Sequence, residues 1–237
     1  SDVLLTNARG AHGPCMGEHT LAMILALTRG IPECVLRQRE HRWAIREIRP
    51  HMVELTGSTL GIVGFGTSGR AVAKRAQAFD MRIVAVDLFP QDKPDYVAWL
   101  KGGDRLEELL RESDYVVVTV PYTPDNQFML GADQLALMKP GARLIVISRG
   151  GIVDEAALAR ALRGGRLAGA ALDVAKTEPL PPESELWDID NLLISPHLAG
   201  GNQFLAQRIL EIFADNLDRF VRGEFPLRNQ VDKERGF

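Results

Sequence analysis

Two sets of residues in this sequence carry chemistry by their type and spacing. The first is Gly64-Phe65-Gly66-Thr67-Ser68-Gly69, which follows the apolar run Leu60-Gly61-Ile62-Val63 and opens a helical stretch. Gly64 permits a tight turn, Gly66 lets backbone approach a pyrophosphate without a Cβ in the way, and Gly69 lets the helix pack close to the strand. The helix tip then offers the N–H groups of Thr67 and Ser68, and the positive end of its dipole, to phosphates. Asp87 closes the next apolar run, about 20 residues on, where a carboxylate can accept both hydroxyls of an adenosine ribose. A 2′-phosphate there would be repelled, and Leu88 and Phe89 supply no Arg to receive one. The expected ligand is NAD rather than NADP. The glycines alone also fit a Rossmann-like domain for S-adenosylmethionine or FAD.

The second set is an Arg, a Glu and a His. Arg149 lies in Val146-Ile147-Ser148-Arg149-Gly150-Gly151-Ile152-Val153-Asp154-Glu155, directly after an apolar run. Glu178 lies in Leu172-Asp173-Val174-Ala175-Lys176-Thr177-Glu178-Pro179-Leu180, and His197 in Ile194-Ser195-Pro196-His197-Leu198-Ala199-Gly200-Gly201. In a parallel sheet such positions gather at the carboxyl edge, where ligands bind. Each also has a plainer reading: a structural ion pair for Arg149, a surface turn for Glu178, a strand-end cap for His197. The settings of His12, His19, His41 and His51 point to no chemistry.

The elements that must position these groups alternate. Strands are expected at Thr59–Val63, Arg82–Val86, Tyr115–Val120, Arg143–Ile147, Leu167–Leu172 and Leu192–Ile194. Between them fall helices over Arg70–Phe79, from a capping box at Asp104-Arg105-Leu106-Glu107 through Arg111, from Asp133 to Pro140-Gly141, and over Glu155–Leu162 capped by Asp154. Ahead of them, 13–29 reads as a helix stopped by Gly30, with Pro32 opening a solvated helix over 33–46. A last helix, Gln203–Arg222, carries Leu205, Ile209, Ile212, Phe213, Leu217 and Phe220 at the spacing of one buried stripe. Strand–helix alternation with near-continuous apolar strands implies α/β architecture: a Rossmann-type doubly wound parallel sheet.

Composition agrees with a globular chain: 237 residues, 46% hydrophobic, 25% charged, net charge −3 from 28 basic and 31 acidic residues. No clustered basic face suggests nucleic acid, no apolar run approaches the roughly 18 residues of a spanning helix, and no signal peptide is visible. Cys15 and Cys34 lack metal or redox spacing and read as buried or half-buried thiols of a reduced, cytoplasmic protein. No metal site is expected.

With both sets in view, the sequence resembles the D-isomer-specific 2-hydroxyacid dehydrogenases. The resemblance runs from Asn7-Ala8-Arg9-Gly10 and Gly17-Glu18-His19-Thr20-Leu21 to Pro226-Leu227-Arg228-Asn229-Gln230-Val231-Asp232. It implies an oxidoreductase moving hydride between NAD(H) and a small 2-keto or D-2-hydroxy acid. Arg149 would bind the substrate carboxylate, His197 would be the general acid/base, and Glu178 its partner. Asp173 resembles the residue holding the nicotinamide carboxamide. Pro121, Thr123, Ile147 and Ser148 would line the cofactor groove, with Arg149, His197, Ala199 and Gly200 alongside. Val146 stands where many members have Asn, and Ala175-Lys176 where many have Phe-Glu. These departures bear on groove packing and substrate preference.

The same resemblance divides the chain into an interdomain and dimerisation segment (1–50), an NAD-binding domain (51–200), and a C-terminal helix and tail (201–237) crossing towards a substrate domain. The opening Ser1-Asp2-Val3-Leu4-Leu5-Thr6-Asn7, a turn into a strand without a starting Met, suggests that the N-terminal substrate domain is missing. A piece of this kind is expected to bind NAD and turn over poorly, and the stretch 14–46 to form a homodimer. Two other functions stay open: an NAD(H)-sensing, co-repressor-like binding protein on the same fold, and a hydrolase such as adenosylhomocysteine hydrolase. The latter fits the glycines but not the Ser-Arg-Gly-Gly and Ser-Pro-His segments.

Overall fold

The computed structural model describes residues 3–233. Three helices come first: α1 (Gly13–Arg29), α2 (Ile31–Arg39) and α3 (Ile45–Ile48). Seven strands follow: β1 (Thr59–Val63), β2 (Arg82–Asp87), β3 (Val97–Gly102), β4 (Tyr115–Val118), β5 (Arg143–Val146), β6 (Gly169–Leu172) and β7 (Leu192–Ile194). Helices α4 (Thr67–Ala76), α5 (Leu106–Glu112), α6 (Ala132–Leu137) and α7 (Glu155–Arg163) lie between them, and α8 (Leu205–Arg222) closes the chain. All strand pairings are parallel, in the order β3-β2-β1-β4-β5-β6-β7. The strand order reverses between β1 and β4, the switch point at which such sheets open a crevice at their carboxyl ends.

Both faces of the sheet are covered, so successive strand residues feed two cores. On one face Leu60, Ile62, Val117 and Ile145 pack with Leu21, Met23 and Ile24 of α1 and Val72, Ala73 and Ala76 of α4. On the other, Val63, Val116, Val118, Leu144 and Val146 pack with Leu109 and Leu110 of α5, Leu135 of α6 and Leu158 and Leu162 of α7. Among the described residues, no single helix is long and apolar enough to cross a membrane.

Several expectations need correction. α4 starts at Thr67, three residues before Arg70, because Gly66 itself is the N-cap. Strand β3 carried no clear pattern: it is an edge strand paired only with β2, and only Val97 of it is fully buried. The helix over 33–46 breaks at Glu40-His41, where His41 takes φ +56°, and resumes only as the short α3. Asp104 caps nothing: a 3-10 turn over Gly103–Arg105 leads into α5 with no side-chain cap. Asp133 sits within the first turn of α6, whose Gly131 N–H is held instead by Gln134 Oε1 at 3.3 Å. Asp154 does cap α7, accepting from Ala156 and Ala157 N–H at 3.0 and 3.1 Å. β4 ends at Val118 and β5 at Val146, and β6 begins at Gly169.

The apolar stripe of α8 is not buried. Ile212 is, but Phe213, Leu217 and Phe220 are 61%, 51% and 56% exposed. Periodicity marks a helix face without saying what covers it. Cys34 is exposed rather than half-buried, because α2 buries none of its residues; Cys15 is buried. Of the opening turn, Ser1 and Asp2 lie outside the described residues; Val3–Leu5 form no strand, and Thr6 makes only an isolated bridge to Gln230.

Candidate active site

The glycine loop leaves β1 at the switch point. Gly64 has φ +94°, open to glycine at no cost. A Cβ on Gly69 would lie 2.2 Å from the Gly64 carbonyl oxygen, so the first turn of α4 can close on the loop only with glycine there. A Cβ on Gly66, by contrast, would meet nothing within 4 Å. Open space therefore lies over Gly66, in front of a helix start that no side chain caps. Unpaired first-turn N–H groups beside open space are what a pyrophosphate requires. Thr67 is exposed and Ser68 half-buried at this tip.

Asp87 ends β2 beside that loop. One carboxylate oxygen accepts Phe65 N–H at 2.6 Å and the other Phe89 N–H at 2.9 Å. These bonds fix the carboxylate and leave each oxygen further acceptor capacity for ribose hydroxyls. Across the crevice, Ser148 is 6% exposed, and its hydroxyl is buried with no hydrogen-bond partner among the described residues. Buried polar groups are normally paired, so an orphan at the carboxyl end of β5 suits a site that a bound molecule completes. The chain's own residues thus fit a dinucleotide.

Arg149, Glu178 and His197 all project from loops at the carboxyl ends of the adjacent strands β5, β6 and β7. A Cβ on Gly150 would fall 1.9 Å from the Ala175 carbonyl oxygen, so glycine lets the Arg149 loop butt against the one carrying Glu178. That second loop is braced: Glu178 Oε1 accepts Ala175 N–H at 3.1 Å, and Lys176 N–H donates to Glu155 at the start of α7. Glu178 Oε2 lies 2.7 Å from His197 Nδ1. Partial burial acts to raise the Glu178 pKa, but the His197 contact, the Ala175 N–H and the Arg149 charge outweigh it and hold it below the ordinary carboxylate value. Arg149 is exposed and makes no ion pair among the described residues; its Nη1 donates to the Ser148 carbonyl at 2.6 Å. Its fork is thus not spent on a structural pairing.

His197 has φ +57°, the left-handed region that few non-glycine residues occupy. Its N–H donates to the Asp173 carbonyl at 2.8 Å, and the Asp173 carboxylate accepts Leu198 N–H and Ala199 N–H, each at 2.8 Å. Asp173 is buried, and its carboxylate serves this loop, with a further bond from the Ser195 hydroxyl. His19 on α1 joins the same cluster, its Nε2 2.9 Å from Ser195 Oγ and 3.3 Å from Asp173 Oδ1. Sequence alone gave His19 no role, because its partner lies across the fold. The remaining groove residues divide. Ile147 and Ala199 are buried, Pro121 is exposed, and Thr123 is half-buried with its N–H on Asn126 Oδ1 at 2.9 Å. The Gly200 carbonyl lies 3.0 Å from His12 Nδ1 and accepts from Asn202 at 3.2 Å.

Comparisons with known proteins place the chain in a family. Residues 21–199 match the family described as "D-isomer specific 2-hydroxyacid dehydrogenase, NAD binding domain". The chain is 37% identical over 235 residues to the glyoxylate reductase of Korarchaeum cryptofilum, covering 98% of this chain and 70% of that protein. It is 37% identical over 228 residues to the glycerate dehydrogenase of Methylorubrum extorquens, covering 94% and 70%. A D-isomer specific 2-hydroxyacid dehydrogenase from Xanthobacter autotrophicus Py2, solved in complex with NADPH and MES, superposes with a TM-score of 0.87 at 34% identity, over 100% of this chain and 95% of that one. The chain belongs to the D-isomer specific 2-hydroxyacid dehydrogenases, NAD-dependent oxidoreductases whose cofactor-binding domain it carries.

Proposed function

We propose that this protein interconverts a small 2-keto acid and its D-2-hydroxy acid, with NAD(H) preferred over NADP(H). The observation that carries this reading is the 2.7 Å contact between His197 Nδ1 and Glu178. With Nδ1 engaged, Nε2 is the ring nitrogen left for a substrate oxygen. His197 Nε2–H gives its proton to the carbonyl oxygen in reduction, and neutral Nε2 takes the hydroxyl proton in oxidation. Glu178 orients the ring and balances its charge when both nitrogens carry protons. Arg149 receives the substrate carboxylate with its planar fork, which aligns the reacting carbon. A bound nicotinamide supplies the hydride in one direction and accepts it in the other. Asp87, already fixed by Phe65 and Phe89 N–H, favours a ribose diol over a 2′-phosphate.

Glyoxylate, hydroxypyruvate, a phosphorylated hydroxypyruvate and bulkier 2-keto acids, each with NADH and with NADPH, form the test. Turnover of at least one, faster with NADH, is expected. Tight NADH binding with no turnover of any would favour a sensing role, and faster turnover with NADPH would overturn the Asp87 argument. We also propose a homodimer through the α2–α3 arm, whose Leu36, Trp43 and Ile45 are 57%, 93% and 54% exposed. A monomer mass independent of concentration in light scattering would refute it. Two unpaired thiols suit the reducing cytoplasm, the compartment we assign.

A further inference from the structure

His19 belongs to none of the roles above, yet its hydrogen bond has a direction that can be worked out. Ser195 has one hydroxyl proton, and its Oγ donates it to Asp173 Oδ1. His19 Nε2, 2.9 Å from that Oγ, is therefore the donor, and the same N–H also lies 3.3 Å from Asp173 Oδ1. Oδ1 thus faces Ser195 O–H, Leu198 N–H and His19 N–H, while Oδ2 faces Ala199 N–H. The Asp173 side chain has no solvent contact, whereas His19 is 24% exposed. A carboxylate so placed depends on protein donors, and losing one is costly.

The groups gathered by this carboxylate flank His197 on both sides: Ser195 before it, Leu198 and Ala199 after it. Between them His197 is held at φ +57°. A strained residue keeps such a conformation only where its surroundings over-determine it. We propose that His19 is a positioning residue. Acting through Ser195 and Asp173, it fixes the loop that presents His197, a role that rests on the acid–base reading of that histidine. His19 reaches the loop from α1, which packs against α4, β5 and β6, so the first helix and the last loop of the site are tied by side chains.

The test uses the full chain with His19→Leu, His19→Gln and Ser195→Ala. The Gln amide nitrogen reaches about where Nε2 stands, so it can restore the donor. In His19→Leu, amide exchange at Leu198 and Ala199 is expected to rise about tenfold, as for the loss of one buried hydrogen bond. Turnover of the best 2-keto acid should fall about tenfold or more through kcat, with NADH affinity unchanged. His19→Gln should recover most of both, and Ser195→Ala should reproduce the exchange effect. Should His19→Leu fail to fold, the other two variants carry the comparison. Unchanged exchange at Leu198 and Ala199 would overturn the proposal, as would a loss of NADH affinity with kcat retained. If the wild type turns over no 2-keto acid, the acid–base reading fails by itself, and the exchange data still decide whether His19 pins the loop.

Discussion

Two histidine–carboxylate pairs stand at the same edge of this sheet, and they differ in what surrounds them. In the first, His19 and Asp173 are 3.3 Å apart, with side chains 24% and 0% exposed. In the second, His197 and Glu178 are 2.7 Å apart, 46% and 38% exposed. The buried carboxylate has no solvent contact and is held by donors of its own protein, three on Oδ1 and one on Oδ2. The exposed pair has one backbone donor, Ala175 N–H, and a ring whose Nε2 takes no hydrogen bond among the described residues. Identical functional groups therefore divide into a pair that shapes a loop and a pair that can exchange protons, and exposure decides which is which.

Removing the outer pair should damage chemistry and spare the fold; removing the inner one should loosen the fold and reach chemistry only through the loop that carries His197. The largest effect is expected from His197→Asn, since Asn tolerates the left-handed backbone that Ala would strain. Turnover should drop by about 10²–10⁴-fold, the usual share of a general acid/base, while the melting temperature stays close to wild type. A wild-type rate would end the catalytic reading of His197. Asp173→Ala should instead cost about 3 kcal/mol in denaturant unfolding, because it strands the N–H groups of Leu198 and Ala199 and the Ser195 hydroxyl. A loss under about 0.5 kcal/mol, typical of surface changes, would erase the contrast between the two pairs. Arg149→Lys keeps the charge but not the fork, and kcat/KM for the keto acid should fall about 10–100-fold at unchanged stability. An unchanged KM and kcat would mean that Arg149 does not hold the substrate.

The outer site was largely legible in the sequence, and the inner one was not. Gly64, Gly66, Gly69 and Asp87 are spaced by a loop that must approach a pyrophosphate, so local chain geometry alone exposes them. Arg149, Glu178 and His197 stand in short segments directly after apolar strands, which a parallel sheet brings to one edge. His19 sits in an ordinary helical stretch 154 positions from Asp173, and its value comes only from the packing of α1 beneath the β6 and β7 loops. Edge strand β3 escaped because only Val97 of it is fully buried and its run Val97-Ala98-Trp99-Leu100-Lys101-Gly102 has no continuous apolar pattern, and the α8 stripe misled because an apolar face does not carry its own partner. Asp104 and Asp133 have the right type for caps, but backbone turns and Gln134 take the positions they were expected to hold.

The smallest effect sharpens the comparison most. The His197 contact, Ala175 N–H and Arg149 hold Glu178 below the ordinary carboxylate value of 4.5 against the opposing pull of burial. A carboxylate depressed in the native state stabilises it at pH values above 4.5, and that contribution fades as pH falls through the lower native value. Because Glu178 is 38% exposed, solvent screening leaves this contribution at a few tenths of a kcal/mol, about the size of a surface pair. Melting curves of the wild type and Glu178→Gln should therefore differ slightly at neutral pH, keep that difference down to pH 4.5, and converge only below it. Convergence already between about pH 6 and 5 would mean that Glu178 takes up its proton above the ordinary value rather than below it. The outer pair would then be unpaired in mildly acid solution, and the orientation of His197 would rest on the Asp173 loop alone.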